Sequence, residues 1–60
     1  MNLMETKTLL EGKLPIIIKA LEDADPLTKE YTELLEAFNS TMIIVSSINN
    51  TLAYREQEEN

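Results

Sequence analysis

The chain has no cysteine, no histidine and no tryptophan, and a single glycine in 60 residues. Without cysteine no disulfide can staple it, and without cysteine or histidine the usual zinc ligand sets cannot be assembled. Ser40, Ser46 and Ser47 have no imidazole to take their protons, so triad-type nucleophilic catalysis is excluded. Basic residues are scarce too: 5 Lys and Arg stand against 11 Asp and Glu, for a net charge of -6. That balance repels a phosphate backbone and removes the counterion release that drives nucleic-acid binding. Tyr31, Phe38 and Tyr54 are isolated rings without the basic interleaving of a base-stacking platform. No apolar run approaches the roughly 20 residues of a membrane span, and Met1-Asn2-Leu3-Met4-Glu5 lacks the basic start of a secretory signal. The expectation is a cytoplasmic, non-enzymatic chain with no cofactor, no metal, no nucleic acid and no membrane among its partners.

Size adds a constraint. A chain this short buries only about 60% of the surface its unfolded form exposes, and small folds usually need a disulfide, a metal or a partner subunit. With the first two excluded, association remains, with itself or with a larger helical protein.

What is present is helical periodicity around one break. The cluster Glu22-Asp23-Ala24-Asp25-Pro26 reads as a turn: Asp25 suits an N-cap and Pro26 the first helical position. Proline also keeps Asp25 out of the helical region, which ends the first helix by about Asp23. Beyond the turn, Tyr31, Leu34, Phe38, Thr41, Val45, Ile48 and Leu52 alternate at spacings of three and four, an a/d heptad stripe. Before it, Leu3, Leu10, Leu14, Ile17 and Leu21 form a matching stripe, with Lys7 as the one polar entry. The predicted fold is all-α: an antiparallel hairpin of helix one over about 3–23 and helix two over about 26–54, followed by a frayed polar tail at 55–60. Gly12 and Pro15 predict a kink or a break between them in helix one, the alternative being a separate turn of helix over residues 3–12, because a proline inside a helix removes one hydrogen bond and crowds the carbonyl of Glu11. The intramolecular seam is assigned to Leu10, Leu14, Ile17, Leu21, Tyr31, Leu34, Phe38 and Val45.

More apolar surface is present than such a seam uses. Met42, Ile43, Ile44 and Val45 are consecutive, and Ile43 falls opposite the seam, so the helix is apolar nearly all round at this level. Folding the chain back about Ala24 and Asp25 brings Leu3 and Met4 level with Ile44 and Val45, leaving Ile48 and Leu52 beyond the end of helix one. Leu9 and Ile16 lie off the seam of helix one. The candidate partner interface is therefore Leu9, Ile16, Met42, Ile43, Ile44, Ile48 and Leu52. It would complete either a homodimeric four-helix bundle or a complex with another protein's helix.

Other features read as ordinary solvated structure. Glu22, Asp23 and Asp25 lack the glycine and the terminal bidentate glutamate of a calcium loop and sit well near a helix N-terminus. Glu30, Glu33 and Glu36 form a solvated face. The triplets Asn39-Ser40-Thr41 and Asn49-Asn50-Thr51 read as helix residues rather than glycosylation sites.

The acidic turn, Tyr31, Leu34-Leu35, the small residues at 37–41 and Ile43-Ile44 before Leu52 resemble the small hairpin co-chaperones of type III secretion needle subunits, the YscE and PscE kind, over roughly residues 20–53. The resemblance implies a cytoplasmic hairpin that docks on a larger helical-repeat chaperone and keeps a polymerising subunit soluble; Gly12 and Pro15 depart from that pattern. The turn Leu21-Glu22-Asp23-Ala24-Asp25 is also similar to that of the Rop-like hairpins, which implies a dimer of hairpins. RNA binding by that family uses basic residues of the first helix, whereas Lys7, Lys13 and Lys19 are offset here by Glu5, Glu11 and Glu22. The leading expectation is thus an adaptor, co-chaperone or inhibitor. A structural homodimer or Rop-like regulator comes second, and an acidic nucleic-acid mimic of a mobile element third.

Overall fold

The structure, a computed structural model, describes residues 2–59, with the side chains of 57–59 left out of the description. It is an all-α hairpin of two helices packed side by side, α1 over Leu3–Asp23 and α2 over Lys29–Glu59. The first helix begins where Asn2 closes a reciprocal cap. The backbone N–H of Glu5 donates to Asn2 Oδ1 at 2.8 Å, and Asn2 Nδ2 donates to Glu5 Oε1 at 3.2 Å. One orphan backbone N–H of the exposed helix end is satisfied, and the side-chain pair holds the cap, a variant of the capping box in which the reciprocal bond goes to the cap's side chain rather than its backbone.

Through Gly12 and Pro15, α1 runs on as one helix. Pro15 and Glu11 are both exposed, so the missing hydrogen bond lies on the solvent side of α1, where water can replace the lost donor. The helix stops at Asp23 as predicted. Ala24 is extended, with φ -86° and ψ 146°, and its N–H returns to the Leu21 carbonyl at 3.3 Å.

The start of α2 differs from the sequence expectation. Asp25 and Pro26 do not open the helix; they open a separate turn. The N–H of Leu27 donates to Asp25 Oδ1 at 3.0 Å, while the Thr28 N–H and hydroxyl both donate to the Asp25 carbonyl, at 3.0 and 2.7 Å. With that carbonyl engaged three residues on, the helix restarts at Thr28. Its Oγ1 accepts the Tyr31 N–H at 3.3 Å and its carbonyl accepts from Thr32 at 3.4 Å. Thr28 is the N-cap and α2 begins at Lys29. The other end also differs: the backbone is helical through Glu59 rather than fraying after Tyr54. Asn60, the last residue of the expected tail, lies outside the described residues.

The late start changes the register. The fold-back centre lies near Pro26 rather than Ala24 and Asp25, which brings Leu3 and Met4 level with Asn49 and Ile48 instead of Val45 and Ile44. Ile48 is accordingly covered within the hairpin. Val45 and Ile48, each 7% exposed, are the two buried apolar residues among those described. The expectation that Ile48 overhangs helix one is corrected, and Leu52 is half-buried rather than bare. The rest of both stripes, Leu3, Leu10, Leu14, Ile17 and Leu21 against Tyr31, Leu34, Phe38 and Thr41, is half-buried. Thr41 is tolerated in an apolar seam because its hydroxyl donates to the Ala37 carbonyl at 2.8 Å, leaving no unsatisfied donor. Lys7 is half-buried as well, which suits a side chain whose methylene stem can cover apolar surface while its ammonium stays in water.

Candidate functional site

Two helices can cover only one stripe of each other, and the molecule shows the consequence. It is a rod of 50 × 16 × 15 Å with a radius of gyration of 14.6 Å, where a compact chain of this length would have about 10 Å. Its accessible surface is 4732 Å², about 800 Å² more than the roughly 3,950 Å² typical of a folded monomer of its mass. Several large apolar residues lie on the outer faces.

On α2, Met42, Ile43 and Ile44 are all exposed, Ile43 to 66%. They occupy the middle of a segment with a property not noticed in the periodicity: none of the 11 acidic and 5 basic residues falls within 37–54. Over about 27 Å of helix the outer surface is made of Ala, Ser, Thr, Asn, Met, Ile and Tyr54. Its polar side chains are partly turned inward on the helix itself, as where the Thr51 hydroxyl donates to the Ser47 carbonyl at 3.0 Å. A solvated helix face normally carries charge, whereas depletion of charge is a mark of the central part of protein interfaces.

On α1, Leu9 and Ile16 are exposed, Ile16 to 70%. Leu9 lines a shallow, open depression with Met4, Glu5, Thr8, Gly12 and Lys13. All six residues belong to α1, so the depression has no second wall. At its floor Gly12 removes a side chain from the helix surface, and a Cβ placed there would touch nothing within 4 Å. No contact inside the hairpin accounts for glycine at this position.

Of the residues assigned to a partner interface from sequence, Leu9, Ile16, Met42, Ile43 and Ile44 are on the surface, Leu52 is at its edge and Ile48 is inside. Sequence reasoning passed over Leu27, which the turn leaves 94% exposed, and Met4, Ile18, Leu35 and Tyr54. Leu27 was missed because it was counted as the first turn of a helix. The acidic residues do not form a site: among the described residues, no cluster of three or more His, Cys, Asp or Glu is placed to hold a metal ion. The ion pair among those residues joins Lys29 to Glu33 at 3.8 Å, both exposed, and pairs of this i,i+4 kind contribute about 0.3–0.5 kcal/mol. Among them, too, no helix is long and apolar enough to cross a membrane. Comparison of the chain with protein-family profiles, curated proteins and solved structures finds no match.

Proposed function

We propose that this chain is a non-enzymatic protein-interaction module that associates through the charge-free outer surface of α2. The observation that carries the reading is the exposure of Met42, Ile43 and Ile44 within a segment free of acidic and basic side chains. Contiguous apolar surface of this kind on a small soluble chain marks an association site. The area points the same way, since the excess of about 800 Å² equals what one partner contributes to a standard interface. A role as adaptor, co-chaperone or inhibitor, including the co-chaperone role implied by the secretion-chaperone resemblance, requires such a face and no catalytic group. A cytoplasmic setting belongs to the same proposal, because a cysteine-free chain is suited to a reducing compartment.

Ile43→Glu tests it. A charge introduced where Ile43 is covered by a partner must be desolvated without a counter-charge, and association should weaken by about 2–5 kcal/mol. On a surface that nothing covers, the same change should stay within about 0.5 kcal/mol. Leu34→Glu, on the seam, should disrupt the hairpin in either case. An Ile43→Glu protein with unchanged native mass, melting temperature and partner binding would overturn the proposal.

A further inference from the structure

We infer that the outer face of α1 is a second docking surface, and that its occupant is the same face of another copy of the chain, paired antiparallel about Gly12. The inference goes beyond the reading of α2 and does not rest on it. Glu5, Leu9, Gly12, Ile16 and Lys19 follow one another at spacings of four and three. At about 100° per residue they lie within about 40° of one line along the helix, and that line is about 150° from the seam of Leu3, Leu10, Leu14, Ile17 and Leu21. All five are exposed. The first helix thus carries two stripes of helix-pairing period, of which the hairpin uses one.

The unused stripe has an acid at one end, a base at the other, and Leu9 and Ile16 on either side of Gly12. Two copies laid antiparallel with Gly12 at the centre bring Leu9 of each level with Ile16 of the other, and Glu5 of each level with Lys19 of the other. Laid parallel, they set Glu5 on Glu5 and Lys19 on Lys19. One carboxylate oxygen of Glu5 accepts from Asn2 at 3.2 Å, which leaves the second for a base. Lys19 has no part in the ion pair of the described residues, which joins Lys29 to Glu33.

Shape points the same way. The one-walled depression around Met4, Thr8, Leu9 and Gly12 comes level with Ile16 of the antiparallel copy, so each copy supplies the wall and the side chain that the other lacks. Gly12 lies at the crossing, where a missing Cβ lets two backbones approach toward the near end of the about 8–10 Å range of helix pairs. Lys13 lies about 80° to the side of the stripe, where its ammonium can stay in water. The outer face of α2 does not fit in place of the second copy. Between Glu36 and Tyr54 its corresponding line carries Ser40, Ile43, Ser47 and Asn50, one large apolar side chain where two are needed. Pairing α1 with α1 is self-complementary and closes as a dimer, and it leaves the outer face of α2, on the opposite side of the hairpin, to the partner proposed above.

Sedimentation equilibrium of the full chain and its variants provides the test. The wild-type chain should be dimeric at tens of micromolar. Ile16→Glu should weaken the dimer at least about thirtyfold, because unpaired charges enter the contact, whereas Ile43→Glu should leave it within about threefold. Gly12→Leu should raise the helicity of the dilute single chain and yet weaken the dimer at least about tenfold, since a side chain there meets nothing within one hairpin. Orientation is read by cross-linking, against no background because the chain has no cysteine. Chains with Glu5→Cys and chains with Lys19→Cys, mixed in equal amounts and treated with a short bismaleimide, should give the product linking position 5 to position 19.

Products linking 5 to 5 or 19 to 19 would overturn the antiparallel pairing, and a dimer unweakened by Gly12→Leu would overturn the close approach at Gly12. A dimer weakened by Ile43→Glu and not by Ile16→Glu would overturn the α1 contact while upholding the docking reading of α2. A chain that stays monomeric up to hundreds of micromolar would overturn self-pairing altogether and leave that reading to the Ile43→Glu comparison.

Discussion

Asp25 and Thr28 show how one residue decides where a helix begins. Both are good N-cap types, they lie three positions apart, and Pro26 favours the earlier one. The earlier one loses because its side chain is drawn into a turn with Leu27 while Thr28 occupies its carbonyl. Thr28→Ala should therefore cost about 1 kcal/mol, a fall of about 4–8 °C in melting temperature for a domain of this size. Asp25→Ala should cost less, because it frees one exposed turn N–H to water. Equal losses from the two variants would mean that Asp25 caps α2 in solution. A comparable signal is legible at the other end, where Asn2-Leu3-Met4-Glu5 has the spacing of a capping box.

Within α1, Gly12 is the residue whose presence the hairpin does not explain. Glycine inside a helix costs about 0.8–1.0 kcal/mol relative to alanine, Gly12 has no positive φ that would require it, and a Cβ would meet nothing. Gly12→Ala should favour helix formation in the single chain by about 0.5–1 kcal/mol, read as a rise in residual helicity by circular dichroism at a dilution where only single chains remain. A destabilised single chain would show that the helix is not formed as described. At concentrations where the chain associates, loss of that gain would place Gly12 at a close approach between molecules. The α2 stripe was fully legible, every one of its a and d positions from Tyr31 to Leu52 being less exposed than its neighbours, because a 3.6-residue helix presents such positions to one side whatever the partner. The absence of charge from 37–54 was legible too, but a search for apolar spacing does not weigh what is missing between the spaced residues.

At the scale of the molecule, two buried apolar residues among those described are few to offset conformational entropy of about 1–2 kcal/mol per residue. The helices should accordingly depend on association. Dilution from about 100 μM to below 1 μM should lower the helical circular dichroism signal at 222 nm in a cooperative transition, with a melting temperature that rises with chain concentration. Helicity and melting temperature independent of concentration would show that the hairpin is stable alone. Added divalent metal should leave the transition in place, because the acidic turn is not a ligand set.

The sequence by itself determined the class of fold, the break between the helices, the seam on each and the surplus of apolar surface, because each depends on helical pitch and local turn chemistry alone. Register was decided only by the tertiary structure. It depends on how many residues the connection uses, and the separate turn that Asp25 makes with Leu27 and Thr28 lengthened it to residues 24–28, with Thr28 capping α2. That shift put Ile48 inside the hairpin, while Met42, Ile43 and Ile44 lie outside it because helical pitch turns them away from the seam in any register. The outer face of α2 is what remains when one neighbour has taken all the surface a single helix can cover.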